Sequence, residues 1–172
     1  MKEEIGRARR GDVYLGVIAV TAVALILVGR QYVAAEQAPP RNVALLAKAW
    51  GAFNTEKWEL AVTRADEMLD EFSDQALRQQ EELAAQGTPK PPTGKVTDAQ
   101  KEAIDARGVI NDVATAYWIK GKSLERLDRN AEATTAYEAA VRLSYGRCWD
   151  PNGWFWSPAE SAGDRLRKLR SS

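Results

Sequence analysis

The chain contains no histidine and a single cysteine, Cys148. Without an imidazole there is no histidine general acid or base, no Ser-His-Asp or Cys-His nucleophile, and no histidine ligand for zinc or haem. One cysteine makes neither an internal disulfide nor a thiolate metal cluster. Charge of one sign is not in excess either: 24 Lys plus Arg stand against 24 Asp plus Glu. A neutral total offers no broad basic face, so nucleic acid is not an expected partner. Alternating β-branched runs are missing, and no strand is expected. These residue types call for no cofactor and no metal. Enzyme chemistry would fall to carboxylates alone. Asp66, Glu67, Asp70 and Glu71 lie close together, but four acids on a surface helix are ordinarily just solvated. No acid sits in a context that suggests a raised pKa, so the chain reads as non-enzymatic.

Only one long apolar run is present. "VYLGVIAVTAVALILVG", Val13 to Gly29, is uninterrupted by charge. It sits at the lower edge of the roughly 17–25 residues that span a bilayer, and it exceeds a signal-peptide core. Tyr32 and Val33 extend it while Arg30 snorkels toward the interface. Residues 13–35 are therefore expected to form an uncleaved transmembrane signal-anchor helix. The small residues of "VAA", ending at Ala35, keep a cleaved leader open as the alternative. Lys2, Arg7, Arg9 and Arg10 precede the run, which places residues 1–12 in the cytoplasm and the rest in an extracytoplasmic, periplasmic compartment. Pro39 and Pro40 make 36–41 a short stiff linker.

Residues 42–172 read as helices and turns, an all-α domain. Helices are expected over Asn42–Phe53 and Glu56–Phe72, the second capped by Asn54 or Thr55 and buried along Trp58, Ala61, Ala65, Met68 and Phe72. A polar helix follows over Ser73–Gln86. The insertion 87–96, containing "GTPKPPTGK", reads as an exposed loop. A proline-type ligand for an aromatic groove is its other reading. Thr97 and Gln100 form a capping box. The helix they open runs as one stripe through Ala99, Ala103, Ala106, Ile110, Val113, Tyr117, Gly121 and Leu124, with Gly108 tolerated inside it. After a turn at Asp128–Asn130, Ala131–Tyr145 forms the return helix. The connector 146–156 collects Trp149, Trp154, Phe155 and Trp156. Asp150–Gly153 fits a type I turn. Ser157, Pro158 and Glu160 open a last amphipathic helix, 157–170, that caps the domain.

Two windows share a helix, a tight polar turn and a second helix. The later one has Tyr117, Gly121, Leu124, Leu127, Ala133, Tyr137 and Ala140 at spacings that resemble a tetratricopeptide repeat. The earlier has Leu45, Ala49, Ala52, Trp58, Ala61, Ala65 and Met68. A generic helical-hairpin bundle obeys the same small-residue rules. The resemblance implies a concave face lined by the first helix of each pair. On this chain that face carries Trp50 and Asn54, then Trp118, Lys122 and Arg126. Lys122 and Arg126 share a helix face and would hold a carboxylate, while the two tryptophans would grip an apolar anchor. The function expected is a membrane-tethered scaffold or accessory subunit with a membrane-associated protein partner. The connector aromatics have three readings: a structural plug against Tyr137 and Tyr145, a partner anchor, or a platform of Trp149, Trp154 and Trp156 for a cell-wall glycan.

Overall fold

The computed structural model describes residues 38–171. The expected cytoplasmic segment 1–12, the transmembrane helix 13–35 and the first two linker residues lie outside them. No helix among the described residues is long and apolar enough to cross a membrane.

The architecture is all-α apart from one small hairpin. Among the described residues six helices run α1 (Arg41–Asn54), α2 (Trp58–Ala85), α3 (Asp98–Asp105), α4 (Val109–Arg126), α5 (Asn130–Arg142) and α6 (Pro158–Arg170). Strands β1 (Cys148–Asp150) and β2 (Trp154–Trp156) stand between α5 and α6. Helices α1 and α2 form one antiparallel hairpin, and α4 and α5 another. Their turns correspond residue by residue. Glu56 and Asp128 each occupy the middle of the turn at φ 57°. Lys57 N–H then donates to Ala52 O at 3.0 Å, and Arg129 N–H donates to Leu124 O at 2.9 Å. Neither α2 nor α5 has a side-chain cap. Thr55, one of the two expected caps, instead turns its hydroxyl back to the Gly51 carbonyl at 2.8 Å.

Helix α2 is longer than expected. It runs through Ser73 without a break because no glycine or proline interrupts it. Its far end supports the second hairpin: Gln80 accepts from Tyr145 N–H at 3.1 Å, and the Tyr145 hydroxyl donates to Thr88 O at 2.7 Å. The expected continuous helix from Ala99 to Leu124 is interrupted. Gly108 takes φ 39° between α3 and α4, a conformation that L side chains rarely adopt. The break resets the helical phase. Ile104 is the buried residue of α3, whereas Ala99, Ala103 and Ala106 are exposed. Beyond it Ile110, Val113, Gly121 and Leu124 are buried as their spacing implies.

Two capping motifs form where the sequence places them. Thr97 and Gln100 make the reciprocal box that starts α3. The Ser157 hydroxyl accepts from Glu160 N–H at 3.2 Å and starts α6 with Pro158 in its first turn. The turn Asp150–Gly153 closes through Gly153 N–H to Asp150 O at 2.9 Å. It carries the strands that the sequence pattern does not announce. Strands of three residues are too short for a period-2 signature.

The proline-rich insertion is not a free exposed loop. Pro91 is buried, and Gly94 pairs with Phe155 through Gly94 N–H to Phe155 O at 2.7 Å and Phe155 N–H to Gly94 O at 2.9 Å. Arg147, 4% exposed, binds the insertion from inside. Its guanidinium donates to Pro91 O, Pro92 O, Ser144 O and Gly146 O. Burial depresses its pKa, and backbone carbonyls supply the hydrogen bonds that the charge needs.

Candidate functional site

A chain of aromatic rings crosses one side of the domain. Trp58 packs on Phe53 at 5.5 Å between centroids, and Phe53 packs on Trp50 at 5.6 Å and on Trp118 at 5.7 Å. Trp50 and Trp118 meet at 6.0 Å, and Trp118 meets Trp156 edge to face at 5.0 Å. The first hairpin supplies Trp50, Phe53 and Trp58, α4 supplies Trp118, and β2 supplies Trp156. Edge-to-face geometry suits ring quadrupoles and fixes the indoles in place. Trp118 Nε1 also donates to Ser161 Oγ of α6 at 2.9 Å.

The end of this chain opens into a cleft of about 600 Å³. Four tryptophans line it: Trp50, Trp118, Trp154 and Trp156. Around the rim stand Asp150 of β1 and Glu160 and Asp164 of α6, with the hydroxyls of Ser157 and Ser161 between them. Among the described residues no lysine or arginine lines it. Asp150 Oδ1 accepts from Asn152 inside the turn, and Asp164 pairs with Arg167 one helical turn on. The Glu160 carboxylate makes no hydrogen bond or salt bridge among the described residues and acts electrostatically on the buried Arg147. No group of three or more His, Cys, Asp or Glu is placed among the described residues to hold a metal ion. The rim acids come from two elements, β1 and α6.

The structure divides the expected site residues into separate places. Trp50 and Trp118 come together as expected. Asn54 is exposed at the end of α1 and does not line the cleft. Lys122 and Arg126 face elsewhere. Lys122 lies 3.8 Å from Glu125, a carboxylate that Arg165 of α6 and the Tyr137 hydroxyl also hold. Burial opposes the charge of Glu125, but the bonds from Arg165 and Tyr137 outweigh it and keep the carboxyl below its usual pKa. Burial first, then Arg165, depresses the pKa of Lys122. Arg126 lies over the Trp58 ring at 5.6 Å. The carboxylate that Lys122 was expected to take from a partner is thus supplied by its own helix, while Arg126 stacks on an indole.

The platform Trp149, Trp154 and Trp156 is also divided. Cys148 pairs with Trp156, Trp149 with Phe155, and Asp150 with Trp154. Paired side chains share a face and neighbours alternate. Trp154, Trp156 and Asp150 therefore face the cleft, while Trp149 lies on the other side against Phe155 at 4.9 Å. The ring partners of the connector are Trp118 and Phe155, not the expected Tyr137 and Tyr145. The rim acids could have been found in the sequence: Ser157, Glu160, Ser161 and Asp164 recur at spacings of three and four on one face of α6.

One acid does sit where its pKa rises, contrary to expectation. Asp112, near the start of α4, is pushed up to about 6 by burial, against the hydrogen bond it accepts from Asn42 Nδ2 at 2.7 Å. It lines a separate cavity of about 320 Å³ together with Thr115 and Cys148. Burial pushes the Cys148 thiol up to about 11, so the sulfur stays protonated and is a poor nucleophile. Comparison with protein-family models, with curated proteins and with solved structures gave no match.

Proposed function

We propose that this chain is a membrane-tethered, non-catalytic interaction protein. In this reading a tetratricopeptide-like helical domain presents its tryptophan cleft to a protein partner, and the protein serves as scaffold or accessory subunit of an envelope complex. The observation that carries the reading is the cleft itself. Trp50, Trp118 and Trp156, from α1, α4 and β2, pack on one another, Trp118 is tied to α6, and Trp154 stands exposed beside them in the same cleft. Rigid aromatic side chains in a concave site are the groups that contribute most to protein recognition. The corresponding turns of the two hairpins support the repeat-like reading. The tether rests on the apolar run Val13–Gly29 and the basic residues before it. Holding the domain at a membrane raises its effective concentration toward membrane partners. The chemistry around Asp112 supports a non-catalytic role, since a protonated buried thiol beside a half-buried acid makes no activated pair.

Pull-down of the tagged full chain from detergent extract tests the reading. A defined partner retained by the parent and by Lys122→Ala/Arg126→Ala, but lost from Trp154→Ala, is the expected result. A partner that survives Trp154→Ala moves the interface away from the cleft. A second reading, a polysaccharide-binding module, has one observation in its favour: Trp154 is 37% exposed and Trp149 is 45% exposed. Because those two indoles lie on opposite faces of the hairpin, a glycan platform would reduce to Trp154 and Trp156.

A further inference from the structure

We infer that the tryptophan cleft takes a basic peptide segment, seating a lysine or arginine side chain against its indoles with the positive end toward Asp150, Glu160 and Asp164. This rests on the cleft being the interaction site and adds the chemistry of its occupant. The argument is charge complementarity. Indole faces attract cations through the ring quadrupole, most strongly for tryptophan. Three carboxylates border the same opening, of which Asp164 is paired with Arg167 while Asp150 and Glu160 have no salt bridge among the described residues, and no cationic side chain of the described residues lines it. Glu160 carries its charge at the rim without a hydrogen bond or salt bridge among the described residues. The domain already uses this chemistry twice elsewhere: Arg126 lies over Trp58 at 5.6 Å, and Lys101 lies 5.3 Å from the Trp149 ring. At the cleft the aromatic and acidic halves are present, and Arg167, which pairs with Asp164, is not among the residues that line it.

The alternatives fit less well. An acidic peptide would meet the like charges of Asp150 and Glu160, which no salt bridge compensates among the described residues. A neutral sugar ring stacks on a flat indole face flanked by groups that hydrogen-bond its hydroxyls. Here the indoles meet at angles, 65° between Trp118 and Trp156 and 44° between Trp50 and Trp118. The Trp118 N–H is already given to Ser161. The volume, about 600 Å³, is in the range of ordinary ligand sites and admits a long basic side chain with part of its backbone.

The test uses the full chain in a polyoxyethylene detergent, which carries no sugar headgroup. The probes are end-blocked tetralysine, tetraarginine, tetraglutamate and chitohexaose, titrated by calorimetry and by indole fluorescence. Tetralysine or tetraarginine is expected to bind. The affinity should fall as salt shortens the screening length from about 30 Å to about 8 Å. It should fall at least about tenfold, roughly 1.4 kcal/mol, in Glu160→Gln/Asp164→Asn, a pair of exposed positions; an unchanged thermal melt of the variant shows that the charge Glu160 presents to Arg147 is not what the loss reports. Chitohexaose binding without tetralysine binding would overturn the inference and favour the glycan reading. Binding of neither basic probe also overturns it. The pull-down then separates the two levels: a partner lost from Trp154→Ala but kept by Glu160→Gln/Asp164→Asn leaves the cleft as interaction site and removes only the cationic occupant.

Discussion

The two hairpins share a turn and differ in what stands behind it. Counting from that turn, Ala49, Ala61 and Ala65 of the first correspond to Gly121, Ala133 and Tyr137 of the second, and all are buried. In the first hairpin every one of these positions is alanine. In the second a large ring has been admitted, and the facing residue has lost its side chain to make room. A Cβ built on Gly121 would come within 2.5 Å of the Tyr137 ring. The exchange has a consequence outside the hairpin. Tyr137 reaches Glu125, which Arg165 grips from α6, so the second hairpin is tied to the capping helix. The first hairpin keeps its large rings near the turn, at Trp50, Phe53 and Trp58, and meets Trp118 with Trp50 and Phe53. Two hairpins with one turn geometry thus serve two purposes: the second locks the end of the domain, and the first builds the wall of the cleft.

The sharpest break in the comparison comes after the second helix of each pair. Helix α2 simply continues, while α5 stops at Arg142 and the chain folds back around Arg147. That guanidinium has carbonyl partners and no salt-bridge partner among the described residues. Arg147→Met strands those carbonyls and is expected to destabilise the domain by about 4 kcal/mol. The amide of Gly94, now bonded to Phe155, should exchange with solvent much faster. Slow exchange at Gly94 in that variant would show that the hairpin holds the insertion without Arg147.

Next in size is Gly121→Ala, which drives a methyl into the Tyr137 ring and is expected to cost about 3 kcal/mol in a denaturant melt. The matching change in the first hairpin, Ala49→Gly, should cost about 1 kcal/mol from helix propensity alone. Adding Tyr137→Leu to Gly121→Ala should recover part of the loss. If the two substitutions are simply additive, the size exchange between hairpins is not a contact effect.

Some of this contrast was legible in the sequence and some was not. Gly121 and Ala133 read as the small residues of a close helix crossing and Tyr137 as a ring filling the gap to a neighbouring hairpin, whereas Tyr137 lies against Gly121 inside its own hairpin. The caps at Thr97 and Ser157 formed as read, because capping depends on a few adjacent side chains. The break at Gly108 was hidden. Alanines spaced by three and four continue across it, and a periodic pattern registers spacing without showing whether the backbone between is helical. The cleft was half visible. Trp50 and Trp118 were paired by position on their helices, but Trp154 and Trp156 join them only because a short strand points alternate residues the same way. The raised pKa of Asp112 depends on burial beneath α1, which no local pattern carries.

Asp112 also joins the hairpins, since Asn42 of α1 reaches it at the start of α4. Its folded pKa lies above the ordinary carboxylate value, so the fold favours the protonated form. The associated stability is fully present below about pH 4 and is lost as pH rises through about 6. The loss is expected to be about 2 kcal/mol once the partial exposure of the group is allowed for. Asp112→Asn should flatten that part of the stability–pH profile. A profile with the same slope in the variant would assign the dependence to another group.

The smallest expected effect bears on the feature the hairpins share. Glu56 and Asp128 hold the same left-handed conformation, φ 57° in both turns. That region costs a non-glycine residue roughly 1–2 kcal/mol, and aspartate tolerates it better because its short side chain bonds locally. Replacement by glycine removes the strain but adds freedom to the unfolded chain, which returns part of the gain. Glu56→Gly should therefore stabilise by about 1 kcal/mol and Asp128→Gly by less than half of that, read as shifts in denaturant midpoint at unchanged slope. Unequal gains in this order would show that the turns share their geometry but not their strain. Equal gains would mean that the aspartate contributes nothing the glutamate lacks, and that the second turn is held by its backbone bonds alone.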